Sequence, residues 1–191
     1  MEKLIIIDSC MREDSRTRLI LEAAKEILSL RYEIEHIDIN KLAFAPLNPE
    51  TLRERNSGII PEKALALAQR IASADRLVVA APFWDMSFPA VLKAFFENMS
   101  LYNVTFSDNG STCTGLCSCK KLLYITTRGM DIPDEDPRNQ GSTYLKALSS
   151  LWGLGEVITL SAWNLDYLSE ALVKERIERT IEKARQIAKD F

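Results

Sequence analysis

The stretch Leu77-Val78-Val79-Ala80-Ala81-Pro82-Phe83-Trp84-Asp85-Met86-Ser87-Phe88-Pro89, running on to Phe96, constrains the fold more than any other part of the chain. Its opening apolar residues, with no polar interruption, fit a short strand buried on both faces of a parallel sheet. An aromatic loop follows, and Pro89 opens a stretch with helical spacing of apolar residues. In open α/β sheets ligands bind beyond the carboxyl ends of the strands. Pro82, Phe83, Trp84, Asp85 and Met86 therefore fall where a ligand would, and read as a platform for a flat ring with a polar edge. The alternative is a turn whose aromatics pack inside the domain.

Two further segments share this grammar. Leu4-Ile5-Ile6-Ile7-Asp8 is again short and apolar, and a helix with Leu19, Ile20, Ala23, Ala24, Ile27 and Leu28 on one face follows a loop over residues 9–18. Ser15 or Thr17 is the expected N-cap. Those hydroxyls and Ser9, with the free N–H groups of the first helical turn, make an anion site of the kind that holds phosphate, and Arg16 or Arg18 adds positive charge. A solvated, capped turn is the plainer alternative. The third segment, Lys121–Thr126, ends in Thr127-Arg128-Gly129, where glycine permits an unusual backbone angle and close approach of main chain to a ligand. Three strand ends of complementary character are harder to assign to chance than any one of them.

Along the whole chain the pattern reads as five strands alternating with five helices, a doubly wound parallel α/β sheet in one domain spanning 1–191. Helices are expected over about 16–30, 61–74, 88–99, 140–152 and 168–189; strands over 4–8, 32–39, 76–81, 121–127 and 156–162. The segment rich in Pro46, Asn48, Pro49, Asn56, Ser57 and Gly58 reads as a loop. Residues 101–119 read as an excursion from the sheet, a short hairpin in which residues 102–106 and 113–116 flank Ser107-Asp108-Asn109-Gly110, with Asn-Gly as the turn signal. Right-handed crossovers and ligand loops after the first, third and fourth strands favour strand order 2-1-3-4-5.

Composition narrows the function. The 191 residues contain 47% apolar side chains, and the net charge of −3 with dispersed lysines and arginines argues against a nucleic-acid partner. No apolar run approaches the length of a membrane span and no basic-then-apolar leader opens the chain, so cytoplasmic residence is the expectation. Cys10, Cys113, Cys117 and Cys119 do not match the usual C-x2-C zinc spacing, and reduced, unligated thiols are expected. The one histidine, His36, falls on an edge strand far in sequence from every ligand loop, which fits a solvated or structural role.

These residues together resemble the flavodoxin-like FMN-dependent oxidoreductases, specifically the NAD(P)H:quinone reductase and azoreductase group. The resemblance is carried by Ala80-Ala81-Pro82-Phe83-Trp84-Asp85-Met86, by Leu92-Lys93, by Val104-Thr105-Phe106 with Asn109-Gly110, and by Lys120-Lys121 leading to Thr127-Arg128-Gly129. It implies FMN as cofactor and NADH or NADPH as donor. Ser9, Ser15, Arg16 and Thr17 would hold the phosphate; Pro82, Phe83, Trp84, Asp85 and Met86 would lie along the isoalloxazine; Thr127, Arg128 and Gly129 would close the other side. It also implies a small-molecule electron acceptor and a homodimer, with the 101–119 excursion and the preceding helix at the interface. Asp85 stands where an azoreductase asparagine is expected, and a carboxylate there would lower the flavin potential. A one-electron carrier and a non-catalytic module of the same fold are the competing classes; the first loop lacks the flavodoxin Thr/Ser-Gly-x-Thr phosphate signature.

Overall fold

A computed structural model describes residues 1–42 and 44–191. Five parallel strands form one sheet: β1 (Glu2–Asp8), β2 (Tyr32–Asp38), β3 (Arg76–Ala80), β6 (Lys121–Thr127) and β7 (Glu156–Ala162), in the order β2-β1-β3-β6-β7. Counting sheet strands only, this is the expected 2-1-3-4-5. The register pairs Asp8 with Asp38 on one side and with Ala80 on the other, so the ends of β1 and β3 lie level.

Helix α1 (Arg16–Leu28) and α6 (Glu170–Asp190) cover one face of the sheet, packing Ile20, Leu21, Ala24, Ile177 and Ala184 against Leu4, Ile6, Val78 and Leu123. Helices α3 (Glu62–Ser73), α4 (Ala90–Met99) and α5 (Gln140–Trp152) cover the other, over Ile5, Ile7, Leu77, Val79 and Leu122. Alternate residues of the central strands β1, β3 and β6 thus feed separate cores, which explains their continuous apolar runs, while the edge strand β2 (Tyr32-Glu33-Ile34-Glu35-His36-Ile37-Asp38) alternates. Phe88, Phe96, Tyr144 and Trp152 interlock edge-to-face or stacked at 5.2–6.1 Å and fix α4 against α5. Gly153 ends α5 in the left-handed conformation (φ 78°) that a C-cap favours. No described helix is long and apolar enough to cross a membrane.

Two departures from the sequence reading stand out. The segment read as a loop contains a sixth helix, α2 (Pro49–Asn56), started by a reciprocal capping box between Asn48 and Thr51 with Pro49 in the first turn. None of its residues is buried, so it carries no apolar stripe for periodicity to detect. The hairpin forms, but as β4 (Phe106–Asp108) against β5 (Cys113–Gly115), with Phe106 beginning rather than ending its first strand. Asn103 to Thr105 are instead a turn, with Asn103 at φ 60°, and Tyr102 makes a single bridge to Phe106. Leu101 is buried, and Val104 and Phe106 pack on the α3–α5 core, while Tyr102 and Leu116 stay exposed.

Candidate active site

The ladder of the sheet continues past the strand ends and holds three loops in one row. The Ser9 N–H donates to the Ala80 carbonyl (2.9 Å), Ala81 N–H to Ile125 (3.0 Å), Phe83 N–H to Thr127 (3.1 Å) and Arg128 N–H to Ala162 (2.8 Å). The Thr17 and Thr127 hydroxyls meet at 2.7 Å, joining the first turn of α1 to the end of β6. The loops after β1, β3 and β6 therefore line a common crevice at the carboxyl edge of the sheet, where doubly wound folds bind ligands.

In the first loop Ser15 is the N-cap of α1, its hydroxyl accepting from the Arg18 N–H at 3.3 Å. Among the described residues no acceptor takes the N–H of Arg16 or Thr17, which leaves both for an anion. Arg16 is exposed at this end. Ser9 and Thr17 are fully buried; the Ser9 hydroxyl donates to Ala80 (3.2 Å) and Thr17 pairs with Thr127. Of the three hydroxyls expected at an anion, Ser15 alone reaches the surface.

The loop after β3 is a two-residue turn. Trp84 and Ser87 exchange backbone bonds (3.2 and 2.8 Å), and Asp85 and Met86 between them both take positive φ, 46° and 66°. This is the twist of a type I′ turn, for which Asn-Gly is the ordinary choice; a methionine in that conformation costs about 1–2 kcal/mol. The turn is held from outside by Gln140, whose N–H donates to the Met86 carbonyl at 2.9 Å at the start of α5. Strain kept by surrounding contacts is common at ligand sites. Trp84 is 39% exposed and Phe83 half-buried, a flat apolar surface beside the turn N–H groups of Asp85 and Met86.

The third loop departs most from the sequence reading. Arg128 has no exposed surface: its guanidinium donates to the Ile132 carbonyl (2.6 Å), pairs with Asp134, and lies 5.6 Å from the centre of the Phe83 ring. It backs the aromatic loop from within. Among the described residues, its Nε and the Tyr124 and Thr126 hydroxyls have no hydrogen-bond partner. Gly129 does not take a positive φ; a Cβ there would lie 1.8 Å from a carboxylate oxygen of Asp166, so the missing side chain makes room for Asp166.

Sequence reasoning missed the group beneath the first loop. Asp8, 2% exposed, accepts from the Cys10 N–H (2.8 Å), from Arg18 Nε (3.2 Å) and contacts His36 Nε2 (3.3 Å). Burial alone would raise its pKa, but His36, the Cys10 N–H and the Arg18 charge together hold it down to about 2. His36, distant in sequence, thus stands directly behind the loop, with Lys25 Nζ 3.1 Å from its Nδ1. The available signal was an acidic residue closing an otherwise apolar strand. The four cysteines are free, and burial pushes the Cys10 and Cys117 thiols up to about 12 and Cys119 to about 11.

A family model described as the flavodoxin-like fold matches residues 1–188. The chain belongs to this flavodoxin-like family. Within it, an FMN-dependent NADH:quinone oxidoreductase of Clostridium perfringens is 34% identical over 172 residues, covering 87% of this chain and 81% of its own. An azoreductase of Bacillus anthracis strain Sterne superposes with a TM-score of 0.84 at 20% identity, over 100% of both chains. An FMN-dependent NADH-azoreductase of the Ames Ancestor strain, solved in complex with FMN, gives 0.79 at 20% identity, over 98% of this chain and 100% of that one. At such identity these structures bear on the fold alone, and the flavodoxin-like sheet order is the one described above.

Proposed function

We propose that the chain is an FMN-dependent NAD(P)H oxidoreductase that passes hydride to quinones, azo compounds or similar small acceptors. The observation that carries this reading is the similarity, through most of both chains, to an enzyme named FMN-dependent NADH:quinone oxidoreductase. The donor set of the crevice fits FMN independently: unbonded N–H groups at the start of α1 suit a phosphate, and a flat apolar wall beside free turn N–H groups suits an isoalloxazine. When bound, FMN supplies the hydride chemistry, and the protein binds and tunes it.

The residues divide as follows. Ser15 and the N–H groups of Arg16 and Thr17 hold the phosphate, with Arg16 adding charge at the mouth and the buried Ser9 and Thr17 hydroxyls bracing the floor. Phe83 and Trp84 lie along the ring and the Asp85 and Met86 N–H groups meet its polar edge. Pro82, which has no N–H to satisfy, leads the chain into this turn. Thr127 faces the ring from the β6 side, while Arg128 and Gly129 support it from behind. The Asp85 carboxylate, exposed at the turn tip, disfavours negative charge on the reduced ring.

The reading includes a homodimer. Its support is the pair of exposed apolar residues on the excursion, Tyr102 (53% exposed) and Leu116, since the rest of that segment's apolar load is taken up by its own core. Light scattering at micromolar concentration tests it, a monomer of full activity being the contrary result. The function itself is tested by an acceptor screen on the FMN-loaded protein: a quinone or an azo dye should be consumed with NADH or NADPH. Turnover of neither class would refute the reading.

A further inference from the structure

The cluster beneath the first loop has a direction built into it. Arg18 leaves the first turn of α1 and uses all three of its nitrogens on the protein: Nε to Asp8 (3.2 Å), one terminal nitrogen to the Arg12 carbonyl (3.1 Å), the other to the Cys10 carbonyl. Asn40 Nδ2 adds a second donor to the Cys10 carbonyl at 3.3 Å. A trans peptide carries its C=O and the following N–H on opposite sides of one plane, and the described chain contains no cis bond. Gathering the carbonyls of Cys10 and Arg12 onto Arg18 therefore turns the N–H groups of Met11 and Glu13 the opposite way. Among the described residues neither N–H meets an acceptor.

We propose that Asp8 and Arg18 are positioning residues that aim the Met11 and Glu13 N–H groups at the phosphate held at the start of α1. Arg18 then serves the anion without touching it, through the loop it shapes. This rests on the reading of the crevice as an FMN site. Asp8 has two tasks in the arrangement. It fixes the guanidinium plane that collects the two carbonyls, and it fixes the Cys10 N–H at 2.8 Å, so the chain leaves β1 in one defined direction. Its own charge lies against Arg18 and His36, which limits repulsion of a nearby phosphate.

Riboflavin has the ring of FMN and no phosphate, so the two ligands separate the ends of the site. Dissociation constants for both are measured on the full chain and on Arg18→Lys, Arg18→Met and Asp8→Asn, with thermal unfolding of each flavin-free protein. The expected result is at least a tenfold loss for FMN in every variant with riboflavin changed less than twofold. Arg18→Lys belongs in that set because a lysine keeps the charge and loses the planar fork that spans a carboxylate and two carbonyls. An unchanged FMN-to-riboflavin ratio in Arg18→Lys overturns the proposal in favour of charge alone. Tighter FMN binding in Asp8→Asn overturns it in favour of direct contact by a freed Arg18. Should Asp8→Asn fail to fold, the half-buried Arg18 variants decide. A parent protein that binds neither flavin would overturn the FMN reading as well as this one.

Discussion

Replacing Ser15 by glycine separates the two roles assigned to its hydroxyl. In the folded chain that oxygen accepts from the Arg18 N–H at 3.3 Å, and its own O–H is left free to donate. Glycine at an N-cap costs only about 0.3 kcal/mol relative to serine, whereas alanine costs about 1 kcal/mol. Ser15→Gly should therefore leave the melting temperature of the flavin-free protein almost unchanged. A charge-assisted hydrogen bond to phosphate is worth roughly 1.5–3 kcal/mol. At about 1.4 kcal/mol per decade, FMN should bind some ~10- to 100-fold more weakly. Flavin fluorescence titration reads the affinity and differential scanning calorimetry the stability. Thr17→Val is the companion: it breaks the 2.7 Å bond between the buried Thr17 and the half-buried Thr127, so it should lower stability by about 1 kcal/mol as well as affinity. If Ser15→Gly folds normally and binds FMN within threefold of the parent, the phosphate lies elsewhere and the reasoning fails.

Other consequences follow from the same geometry. FMN binding should quench much of the tryptophan emission, and Trp84→Ala should remove that quench; full quenching in the variant would assign it to Trp152 or Trp163 and make Trp84 a packing residue. Asp85→Asn should raise the FMN midpoint potential, read by equilibration with a reference dye, because a negative charge beside the reduced ring is lost; a potential that stays or falls would turn the side chain away from the flavin. Asp8 sets an acid limit. Its folded pKa of about 2 lies below the ordinary carboxylate value, so its stabilising contribution is complete above about pH 4 and is lost as pH falls through about 2. The shift is worth about 2 kcal/mol. Urea unfolding from pH 5 to pH 2 should show a loss of that order that Asp8→Asn does not show, and matching slopes would refute it.

Much of the fold is legible in the sequence because β1, β3 and β6 are apolar runs that stop at a polar or turn residue, while the edge strand β2 alternates apolar and polar side chains. β6 and β7 are bounded by Lys121 and Thr127 and by Glu156 and Ala162, where the runs themselves start and stop. α2 escapes because it buries nothing, and its only sign is the capping sequence Asn48-Pro49-Glu50-Thr51. At the site, the three loops are legible as strand ends, but the direction of their side chains is not. Arg128 looks like a ligand-facing cation until Asp134 and the Ile132 carbonyl are seen to receive it in the interior. Gly129 is spaced for a ligand in sequence and is spaced for Asp166 in the fold. The Asp8–Arg18–His36 group joins three separate elements, β1, α1 and β2, and no local pattern announces such a meeting.

The central claim is that the crevice at the ends of β1, β3 and β6 binds FMN and lets it take hydride from a nicotinamide. An anaerobic titration of the FMN-loaded protein with NADH, and separately with NADPH, followed by flavin absorbance, tests this most directly. The account predicts that the yellow colour bleaches stoichiometrically with at least one of the two donors and returns on addition of a quinone. A protein that cannot be loaded with FMN, or whose bound FMN stays oxidised with both donors, would contradict it.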